Sequence, residues 1–239
     1  LQKDLKDLII KTIFSAATDD VRPILKGCLL DISGNEVKCV ALDGYRLAVT
    51  KKQLAMSCPD TSAIIPAKNL SEIYRLLEED DEPANISVCQ KKITVDLKHT
   101  KIISNLLSGT FIRYESSIPN KFETVVTVDR TMLENCLERA YIMSRFEKSN
   151  LVKMDVKEGK LTISTNSEMG DVNEVMSVFS QGKDIQMLFN SKFILDCLKV
   201  IDDEFVNFSF STPTSPSIIT PVEGDKFLYM VLPLRNFSR

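Results

Sequence analysis

The sequence predicts an α+β fold built twice over. Two observations carry that prediction: runs of short β-rich stretches interleaved with single helices, and a self-similarity at an offset of about 124 residues. Leu30-Asp31-Ile32 followed by Val37 recurs as Met154-Asp155-Val156 followed by Leu161. Lys68-Asn69-Leu70, with Ile73, Leu76 and Leu77, recurs as Lys192-Phe193-Ile194, with Cys197, Val200 and Ile201. The openings of the copies also match, Leu5, Leu8, Ile9 and Ile13 against Leu133, Cys136, Leu137 and Tyr141. There the offset is about 128, so the first copy carries roughly four extra residues between positions 18 and 26.

Each element has a local reason. Leu5, Leu8, Ile9, Ile13 and Ala16 follow helical spacing. Four short strands are expected over 28–32, 37–41, 45–50 and 62–65, punctuated by Ser33-Gly34-Asn35 and Asp43-Gly44. A second helix is predicted over 68–79, closed off by Pro83, which lacks an N–H and fixes φ. Strands follow over 84–89, 92–97 and 101–107. The second copy repeats the order: a strand at 124–128, a helix at 130–145, strands at 151–156, 161–165, 173–179 and 185–189, a helix at 191–201, and strands at 205–210, 217–221 and 227–232. Ile118-Pro119-Asn120 breaks the pattern, placing two domains at 1–117 and 118–239. Within each copy the helix-plus-strands motif occurs twice, so the chain is four half-units with their helices on one side.

Composition bounds the function. A chain of 239 residues that is 44% hydrophobic is long enough for two ordinary cores. No apolar run approaches the 18 or so residues of a membrane span, and no secretory signal opens the chain, although Leu1 in place of Met implies a processed or shortened one. Six cysteines without metal-ligand spacing, several on apolar stripes, predict free thiols and a cytoplasmic protein. A net charge of −3 argues against a globally basic nucleic-acid binder while allowing a local basic face.

Catalytic signals are sparse. The one histidine, His99, lies in a hairpin-turn context with no partner nearby in sequence. Nucleophile-elbow, zinc-protease and phosphate-loop motifs are missing from the sequence, and no metal or cofactor is expected. The acidic run Glu78-Glu79-Asp80-Asp81-Glu82 has a counterpart in Asp202-Asp203-Glu204 after the matching helix, and a feature present in both copies reads as structural. An enzyme is therefore not predicted, and no residue is assigned a catalytic role. The basic residues are more regular. Lys68 and Arg75 share a helix face and correspond to Lys192 and Lys199, while Lys11 corresponds to Arg139. Such spacing suits a nonspecific track for a phosphate backbone, although Glu72 and Asp196 dilute the stripe.

Three motifs carry a family resemblance. Ala41-Leu42-Asp43-Gly44-Tyr45-Arg46-Leu47-Ala48 resembles the (A/T)xDGxRLA signature of bacterial sliding clamps, the beta subunits of bacterial DNA polymerase III. Tyr229-Met230-Val231-Leu232-Pro233-Leu234-Arg235 is similar to the C-terminal motif of that family, and Gly109-Thr110-Phe111-Ile112-Arg113-Tyr114 to its linker. Phe189-Asn190, ahead of the last helix, also fits. The resemblance implies a DNA clamp fold in which helices line a hole for duplex DNA. It further implies three domains per chain and closure as a head-to-tail homodimer ring. This sequence aligns with the second and third domains.

The same resemblance implies a peptide-binding groove made from Leu25, Leu42, Gly44, Tyr45, Arg46, Leu47, Ile112, Asn190, Phe193, Met230, Val231, Leu232, Pro233, Leu234 and Arg235. The implied partners are the replicative polymerase, the clamp loader and repair proteins, through short linear motifs, with Arg46 and Asn190 anchoring polar groups. Core packing is the ordinary alternative for each aliphatic taken singly. Arg22, Lys68, Arg75, Lys192 and Lys199 are expected to face nonspecifically bound duplex DNA, and Ile142 and Met143 to meet a neighbouring subunit. The sequence departs from the family pattern at Leu42, Tyr45, Ile112 and Leu232-Pro233-Leu234, where threonine, histidine, proline and Met-Pro-Met are usual. A second reading is a stand-alone peptide-binding module that does not encircle DNA.

Overall fold

The computed structural model describes residues 1–146, 149–168 and 170–235, and they form two compact units, Leu1–Arg113 and Tyr114–Arg239. The division falls at 113/114 rather than 117/118, because Tyr114 is buried and leads directly into a 3-10 turn, Glu115–Ser117.

In the first unit, α1 (Gln2–Ile13) and α2 (Ala67–Leu76) pack on each other and on β1 (Gly27–Leu42) and β2 (Arg46–Pro66). The four expected short strands are two long ones. Their ladder runs in two blocks, Gly27–Ile32 with Thr61–Pro66 and Glu36–Leu42 with Leu47–Gln53. The register breaks between them, where Gly34 takes a φ of +59° that favours glycine. A separate antiparallel sheet follows, β3 (Asn85–Cys89), β4 (Lys92–Asp96) and β5 (Lys101–Asn105). His99 lies exposed in the β4–β5 turn, which Leu97 and Thr100 close with reciprocal backbone bonds of 2.8 and 3.3 Å. Leu5, Leu8, Ile9, Leu70 and Ile73 from the helices meet Leu30, Val37, Cys39, Ile65, Ile93 and Val95 in one core. Burying each such side chain contributes about 1.5–3 kcal/mol.

The second unit contains β6 (Thr124–Asp129), α3 (Arg130–Ser144), β7 (Leu151–Lys157), β8 (Lys160–Ser167), β9 (Gly170–Ser177), β10 (Phe179–Gly182), β11 (Ile185–Asn190), α4 (Ser191–Leu198), β12 (Phe205–Phe210), β13 (Ser217–Pro221) and β14 (Phe227–Val231). One antiparallel sheet is ordered β11-β7-β8-β9, and the other strands pair in the order β10-β6-β12-β13-β14. The strand expected at 173–179 divides, because the chain passes at Val178 from the β8 ladder to the β6 ladder. The rings of Phe189, Phe208 and Phe210 form the aromatic centre of this unit, with Phe208 and Phe210 4.5 Å apart.

Both second helices are shorter than expected: α2 ends at Leu76 and α4 at Leu198. Leu77 turns extended (ψ 137°), so Pro83 lies well beyond the helix it was expected to close. After α4, residues 199–200 continue only as a turn.

The repeat holds at the level of register. Leu30 faces Ala63 and Val37 faces Lys52 in the first unit; Met154 faces Met187 and Leu161 faces Met176 in the second, each pair displaced by the same offset of about 124 residues. The duplicated acidic loops have one job in both copies. Gln2 N–H donates to the Glu82 carbonyl and Lys3 N–H to that of Asp80; likewise Arg130 N–H donates to the Glu204 carbonyl. First-turn amides of a helix have no partner within it, so a carbonyl-rich acidic loop satisfies them and its charge suits the helix dipole.

A second tie holds β9 to α3. The Arg139 guanidinium pairs with the Glu174 carboxylate, which also accepts from the Cys136 thiol at 3.0 Å. Hydrogen bonding from Arg139 outweighs burial and holds the Glu174 carboxyl at about 2, below its ordinary 4.5. Burial, then Glu174, lifts the Cys136 thiol to about 11, so it stays protonated near neutrality.

Two predictions follow from these contacts. Gly182 has φ +110°, and a Cβ there would run into the Glu123 carbonyl where β10 pairs with β6. Gly182→Ala should cost at least about 2 kcal/mol in urea unfolding; a change under a few tenths would show that the strand end relaxes freely. Glu174 has a folded pKa below its unfolded value. Its contribution is therefore present above pH 4.5 and lost as pH falls towards about 2. Glu174→Gln should lose stability less steeply than the parent across that window, and identical slopes would remove the pair from the acid response.

Candidate functional site

The residues expected to form the groove fall into two sets, one in each unit. In the first unit they surround the turn between β1 and β2. Asp43 organises this turn: its carboxylate accepts from Tyr45 N–H at 2.8 Å and Arg46 N–H at 3.0 Å, and takes the Arg46 Nε at 2.9 Å. Asp43 N–H donates back to the Arg46 carbonyl. Gly44 has φ +96°, a conformation that suits glycine. The Arg46 side chain is only 10% exposed and lies over the Phe14 ring at 5.7 Å. These contacts hold the turn, beside the ligand-anchoring role that the resemblance implies for Arg46. The consequence of the turn is outward: Tyr45 is 62% exposed.

Beside the turn lies a cavity of about 230 Å³ lined by Ala17, Asp19, Val21, Arg22, Leu25, Asp43, Gly44 and Tyr45. Leu25 is almost wholly buried and forms its apolar floor, held by the 3-10 turn Pro23–Lys26. Arg22 sits on the rim, its guanidinium 3.4 Å from where a Cβ on Gly44 would project, so glycine leaves room for the cation as well as for the turn. Arg22 was expected on the DNA face; it lies here, on a connection rather than a helix. Leu42 and Leu47 are buried in the strands behind the turn. Ile112 is exposed and does not line this cavity. The site gains Ala17, Asp19 and Val21, which no motif marked. The signal for Asp19 and Val21 was the insertion that interrupts the repeat between positions 18 and 26, and Ala17 directly precedes it.

In the second unit, Asn190 caps α4 by accepting from Lys192 N–H at 3.0 Å. Such a cap stabilises the helix by about 1 kcal/mol, so this amide too has a structural task. The half-buried Phe193 offers its carbonyl to the Tyr229 hydroxyl at 2.8 Å, fixing α4 against β14. Met230 and Val231 are buried, while Leu232, Pro233 and Leu234 are half-buried and Arg235 is exposed. Leu234 N–H donates to the Leu188 carbonyl at 2.7 Å, laying the last described segment along β11. An apolar strip held by backbone bonds beside a helix can receive aliphatic side chains.

The helix cations occupy exposed positions. Lys192 pairs with Asp196 at 2.9 Å, Lys199 with Glu138 at 3.0 Å and Arg75 with Glu72 at 2.9 Å. Lys68 is exposed on α2, with no ion pair among the described residues. Ile142 is half exposed at the end of α3. Met143 beside it approaches Gly170, the first residue of β9, and β9 is the last strand of its sheet. Among the described residues no cluster of three potential metal ligands occurs, and no helix is long and apolar enough to cross a membrane.

Comparison with known proteins agrees with this architecture. Residues 1–112 match the model of the DNA polymerase III beta subunit central domain and residues 115–235 that of its C-terminal domain. The beta sliding clamp of Haemophilus influenzae is 33% identical over 235 residues, covering 98% of this chain, and that of Halalkalibacterium halodurans 30% over 242 residues, covering 99%. The chain spans 64% of the length of each. The crystal structure of the Bacillus subtilis DNA polymerase sliding clamp superposes with a TM-score of 0.96 at 29% identity, over 99% of this chain and 63% of that one. With both units matched from end to end, the chain belongs to the DNA polymerase III beta subunit family and has the DNA clamp fold.

Proposed function

We propose that this chain is the peptide-binding and DNA-facing part of a processivity factor. It does no chemistry of its own. As part of a ring around duplex DNA it tethers a replicative polymerase, a clamp loader and repair proteins. The observation that carries this reading is the end-to-end match of both units to beta sliding clamps, combined with an open cavity at the Asp43–Arg46 turn. A cavity of about 230 Å³ with a buried leucine floor, an exposed tyrosine wall and one cation on its rim suits an aliphatic or aromatic side chain of an extended peptide. The second unit offers an apolar strip of its own, Met230 to Leu234. Ile142 and Met143, beside the edge strand β9, would meet a neighbouring subunit. Because the chain spans 64% of its relatives, the module that binds peptides without encircling DNA is the competing reading.

Peptide binding is expected on the order of micromolar, about −8 kcal/mol. In a fluorescence-anisotropy titration with a labelled, leucine- and phenylalanine-containing pentapeptide, Tyr45→Ala and Leu232→Ala should each weaken binding roughly tenfold, about 1.4 kcal/mol. Unchanged affinity in both variants would place the site elsewhere.

Encirclement is tested by joining the chain behind the first domain of a related clamp and loading the product onto nicked circular DNA. Retention on the circle and loss on linearisation is the expected result. Equal dissociation from both forms would sink the ring and leave the peptide module standing.

A further inference from the structure

The helix cations read as a DNA track are held back by carboxylates of the same unit. This deepens the proposed function and rests on its reading of the helix faces as the surface that meets duplex DNA. On the α3–α4 face, Lys192 and Lys199 line a shallow groove of about 270 Å³ together with Glu138 and Asp196. The pairs are Lys192–Asp196 at 2.9 Å and Lys199–Glu138 at 3.0 Å, with Glu134 adding to the field on Lys199. In the same unit Arg130 is matched to Glu134 and Arg139 to Glu174. In the first unit Lys11 is matched to Asp7 and Arg75 to Glu72. Lys68 stands apart, exposed on α2 and without an ion pair among the described residues.

Exposed pairs of this kind are worth about 0–1 kcal/mol, so a phosphate could draw the lysine away from its carboxylate. The carboxylate would then remain within a few ångströms of the phosphate, and its repulsion would replace the lost pair. Staying or swinging, each matched lysine brings less net charge to the backbone than a free one. Counter-ion release, the main source of nonspecific affinity, falls accordingly.

We infer that Glu138 and Asp196 act as intrachain brakes on duplex binding, keeping the α3–α4 face weakly attractive, and that Lys68 supplies the largest single phosphate contact of the helices. A ring that slides needs such a surface, because every tightly held phosphate is a point of friction.

The test is a salt titration of the 239-residue chain with a fluorescein-labelled duplex, read by anisotropy from low salt upwards. The chains compared are wild type, Glu138→Gln/Asp196→Asn, Lys68→Ala, and Lys192→Ala/Lys199→Ala. All five positions are exposed or half-buried, and circular dichroism melts confirm folding. Removing both carboxylates should raise affinity at least severalfold at low salt and steepen the slope of log K against log[salt] by about 2, near 0.9 for each lysine released. Lys68→Ala should weaken binding more than the paired lysine double variant does. If Glu138→Gln/Asp196→Asn binds no more tightly than wild type while the lysine variants bind more weakly, the brake is refuted and the DNA face stands. If no variant differs from wild type, brake and DNA face fall together. Equal losses from Lys68→Ala and the lysine double variant would refute the special place of Lys68.

Discussion

The burial of two helices against antiparallel strands is the constraint on which each unit depends. Neither partner of that contact is stable by itself. A helix of eight to fifteen residues is marginal in water, and a bare sheet leaves one apolar face exposed. Leu70 and Ile73 of α2 and Leu5, Leu8 and Ile9 of α1 can be buried only if Leu30, Val37, Cys39 and Ile65 face them from the strands. That requirement fixes the ladder register, since a slip of one residue would turn those strand positions to solvent. The second unit meets the same requirement at the equivalent pairs. Its fold is therefore the same solution reached with different side chains.

Where the copies differ, the site appears. In the second unit α3 is joined to β7 by a short connection. In the first, the chain from Phe14 to Lys26 is longer, makes a 3-10 turn and carries Arg22 and Leu25 to the Asp43–Arg46 turn. The core gains little from this detour beyond Ala16, Ala17 and Leu25. Its other consequence is a cavity. The polar residues around that cavity divide their labour: Asp43 and Arg46 hold the turn, and Tyr45 and Arg22 face outward. In the second unit, Asn190 uses its side-chain oxygen to cap α4.

Charge follows a similar economy. A net charge of −3 combined with regularly spaced helix cations looked contradictory along the chain. The contradiction dissolves once the carboxylates are located, because Asp7, Glu72, Glu138, Glu174 and Asp196 each sit against a helix lysine or arginine. A stripe that is basic in one dimension is close to neutral in three.

By itself the sequence determined the repeat, the α+β class, the family and the existence of the four α-helices among the described residues, because apolar periodicity and turn residues are local signals read from neighbouring positions. It also located the Asp43-Gly44 turn, whose geometry depends on a glycine that can adopt φ +96°. The tertiary structure alone decided three further things. The four expected strands are two, since continuity across Gly34 depends on pairing partners some 25 residues away. Arg46 braces the turn while Arg22 is exposed beside it, since a side chain's surroundings depend on residues outside its motif, such as Phe14, as well as on motif neighbours such as Asp43. Lys199 is matched, since Glu138 reaches it from a different helix. The β1–β2 ladder, the Arg46–Phe14 stacking and the Glu138–Lys199 pair join residues distant in sequence, and their distances exist only once the chain has folded.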